Sequence, residues 1–299
     1  MTTSRGAVRS IWDEGRWVER VAYVLAAVLF ASGVVHLGVL VVSGGSWEGP
    51  LSLRKPTTFG LSFGVTLASV AWATSYLTVR SRVRNLLLGL FIAASVVETV
   101  LVSMQAWRGV PSHFNFETGF DNAVSMTLAA GGGVIILVAV GFAAAAVVGV
   151  GAITPSMRVA LRAGFGLLLV ALGAGAVMIA TGVVEARGGN PQLAYDTAGA
   201  LKPLHFVAMH GILVLPGLAW LLRFDNGSER RRTAIVGVGA IAYAVLTAVV
   251  GVESATGVSP LAAPPLQTSF SVAALVVLLG CGGFAMGGAL HRDGAAVRA

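Results

Sequence analysis

The chain has 299 residues, 56% of them hydrophobic and only 11% charged, with a mean hydropathy of +0.84. Soluble domains are about one-quarter charged, so this composition excludes an ordinary soluble fold and makes lipid the solvent for most of the chain. The formal charge of +7 would suit nucleic acid, but the basic residues are placed by membrane topology and that partner is excluded.

Trp12, Trp17 and the arginine between them form an interfacial lead-in. Apolar runs of about 20 residues, enough to cross roughly 30 Å of hydrocarbon as a helix, follow over 21–42, 57–79, 86–106, 122–149, 159–184, 203–222, 233–252 and 268–290. The expected fold is therefore an all-α polytopic bundle of eight transmembrane helices. The alternation of a membrane β-barrel is absent. The first run is too long for a signal-peptide core and no cleavage site follows it, so it is expected to be retained. The domains expected are a cytoplasmic interfacial segment at 1–20, four-helix units at 21–150 and 151–290, and a cytoplasmic tail at 291–299.

Fifteen of the twenty basic residues fall before the first run or after the second, fourth, sixth and eighth. The positive-inside rule then puts both termini in the cytoplasm of a bacterial plasma-membrane protein. Arg54, Lys55, Arg108, Arg187 and Lys202 lie on the opposite side and need another explanation. The single cysteine, Cys281, excludes an intramolecular disulfide and a cysteine-based metal cluster. The 39 glycines, including the run Gly131-Gly132-Gly133, lie mostly within spans and suit close helix packing, not a nucleotide loop.

The halves echo one another. Ser32-Gly33-Val34-Val35-His36 matches Thr181-Gly182-Val183-Val184-Glu185, and Lys55-Pro56-Thr57-Thr58-Phe59 matches Lys202-Pro203-Leu204-His205-Phe206. The offsets are nearly equal, which suggests a tandem internal repeat of two four-helix units in one orientation. Each Lys-Pro pair suits the first turn of a helix, where proline's missing N–H leaves no bond unmade. Pro216 should kink the sixth span.

His36, Glu98 and His210 are titratable residues inside apolar runs, and such groups usually face a bundle interior. At 1.5 Å per residue they lie about 9, 13 and 12 Å from the expected outer ends, a common depth that predicts one shared site. Ser32 and His36 share a face, as do Glu98 and Gln105, while Thr58, Ser62, Thr66 and Ser69 make a polar stripe. A single histidine could instead hydrogen-bond a neighbouring helix. His205, near the boundary, suits a lid contact as well as a ligand, and it is turned about 140° from His210 on a regular helix. His291 in the tail reads as solvated.

The segment 108–122 is the densest polar stretch, with His113, Asn115 and Glu117 interleaved with phenylalanines. It is expected to be a structured lid in which Asp121 or Asn122 caps the fourth span. The stretch from Glu98 through Arg108 to Ser112-His113-Phe114-Asn115, with His205-Phe206 and His210 beyond, resembles a group of uncharacterised bacterial multi-span membrane proteins. The resemblance implies the polytopic helical fold and carries over no activity.

Three functions compete. In the first, His36 and His210 ligate haem b or a transition metal ion, Glu98 is catalytic, and Arg54, Lys55, Arg108 and Lys202 hold the propionates. His113, Asn115, Glu117, Asp121 and His205 form the lid or support the ligands. In a variant, Ser32 and His36 resemble the serine and histidine of intramembrane zinc hydrolases. In the second, the chain is a proton-coupled carrier or binding protein for a small anion, with Glu98 as the proton-linked group. In the third, it is a structural or assembly subunit with a membrane protein partner.

Overall fold

The computed structural model describes residues 10–49, 51–148, 153–197 and 199–297. The helices that build the bundle are α1 Trp17–Val42, α2 Arg54–Ser75, α3 Ser81–Trp107, α4 Gly119–Val148 and α5 Pro155–Arg187. A short α6, Pro191–Thr197, leads into α7 Lys202–Leu222, α8 Glu229–Ala255 and α9 Pro265–Val297. The expected 1–20 and 291–299 segments lie partly outside the described residues, which exclude Arg5, Arg9 and Arg298 and the side chains of His291 and Arg292.

Seven of these helices are long and apolar enough to cross a membrane, not the eight expected. The difference is the second expected span, 57–79. It forms α2, 22 residues long, but its charged start and its hydroxyls make it too polar to face lipid. It is covered instead by α1, α3 and α7. Buried Thr57 and Ser69 return their hydroxyls to Leu53 and Val65 carbonyls at 2.9 and 2.7 Å. Thr58 does the same to Arg54, so two members of the expected polar stripe, Thr58 and Ser69, are satisfied by their own helix.

Glycine sets how closely α2 lies on α1. A Cβ at Gly60 would sit 2.5 Å from the backbone of Gly33, and one at Gly64 2.8 Å from Ala26 O. The two antiparallel backbones touch, a contact that any larger residue would block. Helices α5 and α7 pair similarly, Gly164 lying against Gly211 and Ile212. The registers differ, however. Gly33 faces Thr57 and Leu61, so the echo should set Gly182 against Leu204 and Ala208; instead the ring of His205 lies at Gly175 and Gly182 receives Phe114. The second pair is slid by about two turns, roughly 10 Å, and no repeat is evident in this packing.

The helices alternate between two ends. One end, here the arginine end, gathers the start of α1, the close of α2 and the start of α3. There Glu19 and Arg84, each about 97% buried or more, stand 3.6 Å apart, and Arg84 also donates to Leu77 O. At the same end Ser156 N donates to Glu229 at 2.8 Å, Arg162 donates to the last carbonyls of α4, and Arg232 donates to Asp225 O. Between the ends runs one apolar core that includes Leu67, Phe91, Phe142, Phe165, Leu161 and Ile212. Helix α7 stays continuous through Pro216. Cys281 packs against Ile235 O at 3.8 Å.

Candidate functional site

The opposite end, the lysine end, brings together both Lys-Pro helix starts. Ser52 caps the entry to α2, its Oγ accepting from Arg54 N at 3.0 Å and donating to Ser46 O at 2.6 Å. This holds Arg54 and Lys55 on the first turn. Lys202 opens α7 with Pro203 behind it. Between the two starts α6 presents Tyr195, and three cations surround it. Arg54 Nη2 donates to the phenol oxygen at 2.7 Å, Lys202 Nζ stands 4.9 Å from the ring centre and Lys55 Nζ 5.6 Å from it.

This arrangement is electrically unbalanced. Arg54 has Glu48 at 3.1 Å, a carboxylate on the exposed rim, and Asp196 acts on Lys202. Lys55 is repelled by Lys202 and Arg54, and among the described residues no carboxylate pairs with it. Two helix N-termini aim their positive ends at the same place. Beside the cluster the α1–α2 loop folds around an open groove of about 300 Å³ lined by Leu40, Ser46, Glu48, Ser52 and Leu53. Ammonium donors, a phenol and oriented peptide dipoles are groups that can bind a small anion.

The three residues expected to share a site have separate occupations. His36 is buried, its Nδ1 bonded to Ser32 O at 2.8 Å, and its Nε2 accepts from Trp107 Nε1 at 3.0 Å. With both nitrogens engaged, the ring has no lone pair free for a metal or haem iron while Trp107 holds it. Glu98 is 4% exposed and lies against α4, where a Cβ at Gly131 would sit 2.7 Å from Oε1; the backbone of Gly132 is its polar partner. That gives the glycine run a use besides packing, since a larger residue at 131 would occupy the carboxyl's place. His210 binds its own Phe206 O at 2.7 Å and stacks on that exposed ring at 4.5 Å. His205 Nδ1 meets Ala171 O at 2.7 Å, so it ties α7 to α5 and is not a lid contact.

The residues expected as haem partners are likewise divided. Arg54, Lys55 and Lys202 meet at Tyr195, but Arg108 is held by the lid. It pairs with Asp121 at 2.6 Å and donates to Gln105 as well, while Gln105 Nε2 donates to Asp121 at 2.9 Å. The cap of α4 is Thr118, not Asp121 or Asn122. Its hydroxyl accepts from Asp121 N at 3.1 Å and donates to Oδ2 at 2.6 Å. Asp121 thus occupies the third helical position, where a carboxylate completes a reciprocal cap. Among the described residues no group of three or more histidine, cysteine or carboxylate side chains is placed to hold a metal ion. With His36 Nε2 held by Trp107 and no such group among the described residues, this donor set fits neither haem nor zinc.

The lid itself is built on one strained residue. Phe114 has φ +61°, a left-handed conformation that costs a side-chain-bearing residue about 1–2 kcal/mol. The strain buys a deep contact: the Phe114 ring fills the space beside Gly182, where a Cβ would come within 2.3 Å of it. Ser125 fixes the backbone on both sides, accepting from Asn115 N at 3.2 Å and donating to Asn115 O at 3.1 Å. Asn115 Oδ1 in turn accepts from Glu117 N at 3.1 Å. His113 packs on Phe59 at 5.7 Å and bonds Ser112 Oγ at 3.0 Å. Burial, and then the charge of Lys55, lower its pKa to about 3, so it is a neutral wall of the basic cluster.

Sequence reasoning missed Tyr195, which centres the cluster, and Glu253, a carboxylate 1% exposed near the end of α8. Tyr195 stands in a connector with no periodic pattern, and Glu253 falls one residue past the expected span. Comparison with protein-family models, curated proteins and solved structures finds no match for this chain. The resemblance of its 98–115 and 205–210 motifs to a membrane protein group is therefore unsupported, and what stands is a multi-span helical membrane protein.

Proposed function

We propose that this protein is a membrane receptor or carrier for a small anion of the carboxylate or phosphate type, bound by Lys55, Lys202 and Arg54 around Tyr195. The observation that carries the reading is the convergence of two separate helix starts, each with its lysine, on one aromatic ring, with Lys55 lacking a carboxylate partner. Cations gathered without neutralisation repel one another, and the arrangement is stable at least cost when an anion joins it. In this reading α2 is an eighth crossing shielded by its neighbours, since it reaches from Lys55 at one end to Leu77 beside Arg84 at the other. Both termini then lie on the arginine side, which the positive-inside rule makes cytoplasmic, and the anion is met from outside. Glu98, buried against glycine backbone, is the group that would exchange a proton if binding is coupled to transport.

The test is a thermal-stability screen of the full chain in detergent or nanodiscs against chloride, acetate, phosphate and sulfate at constant ionic strength. At least one polyatomic anion should raise the unfolding temperature in a saturable way, and Lys55→Gln with Lys202→Gln should abolish that response. A panel without effect, or one equally effective on the double variant, removes the reading.

A further inference from the structure

The hairpin of α8 and α9 carries a second polar group at the lysine end, unconnected to Tyr195. Leu246, Val250 and Ala274 pack as one apolar cluster, with Leu278 against it, which sets Val250 level with Ala274 across the two antiparallel helices. Following each seam one turn towards the connecting loop reaches Glu253 on α8, which continues the 246–250 face, and Ser271 on α9, which continues the 274–278 face. Ser254 adjoins Glu253, and Gln267 lies one further turn along α9. Each contributes an oxygen that is out of contact with solvent and without a hydrogen-bond partner: Glu253 Oε2, Ser254 Oγ, Gln267 Oε1 and Ser271 Oγ.

Three of these oxygens lie on the seam with α9 and call for an occupant, while Ser254 continues the Thr247–Gly251 face, which meets Leu204 of α7. Glu253 is 1% exposed and Ser254 3%, and none of the described arginines or lysines pairs with this carboxylate. Its place is also unfavourable for an unaccompanied anion: it sits in the last turn of α8, where the helix dipole presents its negative end. The dipole, the carboxylate and the neutral oxygens all favour a cation. Hard cations take oxygen ligands, and one formal negative charge among neutral oxygens balances one positive charge, so a divalent ion would leave excess charge in a poorly solvated place. We infer that Glu253, Gln267 and Ser271 form an oxygen-lined site for a monovalent cation of the sodium type, in the seam between α8 and α9. The inference stands whether or not an anion binds at Tyr195.

Full-length protein in nanodiscs would be measured for binding of radioactive sodium ion by scintillation proximity, with choline as the balancing cation and no added polyatomic anion. Wild type should bind saturably, unlabelled sodium should displace the label, and calcium at equal concentration should displace it less. Glu253→Gln should lose saturable binding, and Ser271→Ala, which removes one neutral oxygen and leaves the carboxylate, should bind more weakly while eluting as the same single species. Absence of saturable binding by wild type, unchanged affinity in Ser271→Ala, or binding retained by Glu253→Gln would each overturn the site. Displacement by calcium at lower concentration than by sodium would overturn its monovalent assignment.

Discussion

The two ends of this bundle treat charge in opposite ways. At the arginine end Glu19 and Arg84 are both almost wholly buried, and Arg16 adds a second bond to Glu19 at 2.8 Å. At the lysine end Lys55, Lys202 and Arg54 crowd one tyrosine, and the closest acid in the ion pairs is Glu48, largely in solvent. A buried ion pair between two helices holds them in place, although Glu19 serves both Arg84 and Arg16 and Arg84 Nε and Nη1 have no hydrogen-bond partner. The half-open cluster with charge to spare is where the proposed anion would bind.

The largest effect should come from breaking the buried pair. Glu19→Gln leaves Arg84, 2% exposed, as an uncompensated buried cation, and removing one partner of a buried pair costs about 3–5 kcal/mol. The outcome expected is a steep fall in unfolding temperature in detergent. Replacing both partners by apolar residues of similar size, Glu19→Leu with Arg84→Met, should recover much of the loss. If the single variant unfolds like wild type, the arginine end is no more structural than the lysine end.

A smaller loss is expected where the lid is fastened. Arg108 is 39% exposed while Asp121 is 4% exposed, so Arg108→Ala removes a partly solvated charge but strips a buried carboxylate of its cationic partner. Gln105 and Thr118 remain bonded to Asp121, so the fall in unfolding temperature should be smaller than that of Glu19→Gln. Proteolysis in the 109–117 segment should rise with it. Unchanged cleavage would mean that Phe114 in its Gly182 niche fastens the lid without help.

The lysine end should behave in the reverse sense. Lys55→Gln and Lys202→Gln relieve mutual repulsion, so in anion-free buffer each should leave stability unchanged or raise it by up to about 1 kcal/mol, the scale of partly exposed charge interactions. A destabilisation as large as that of Glu19→Gln would make these lysines structural and erase the contrast between the ends.

Much of the architecture was legible from apolar runs alone, because hydrocarbon imposes a length and a polarity that the sequence must display. Seven crossings are of that kind. Helix α2 was legible as a helix but not as a protein-covered one, since its polarity is tolerable only where α1, α3 and α7 hide it. The Lys-Pro echo pointed to two helix starts; their meeting at Tyr195 could not be read, because it depends on how α6 folds back. The hydrogen-bond partner of His36 was hidden for a related reason. The indole that occupies its Nε2 belongs to Trp107, 71 residues away, and no local spacing announces such a partner. Depth, read from helix counting, put His36, Glu98 and His210 in one layer, but a layer is not a site: their polar contacts go to Trp107, to the Gly131–Gly132 backbone and to Phe206.

A pH dependence distinguishes His113 from the cations it faces. Its pKa is lowered from 6.5 to about 3, by burial and then by Lys55, so between these values the unfolded chain binds a proton at this residue that the folded chain does not. Stability must therefore be fully present above about pH 6.5 and decline as pH falls towards 3. His113→Asn removes the titrating group, and its unfolding temperature should fall less than that of wild type between pH 7 and pH 4.5, with the two curves parallel above pH 7. Lys55→Gln takes away the second cause and leaves burial, the first, so it should reduce the acid sensitivity only in part. Equal acid sensitivity of wild type and His113→Asn would place His113 in solvent, outside the wall of the basic cluster, and leave the lysine end more open than its packing on Phe59 and Phe114 implies.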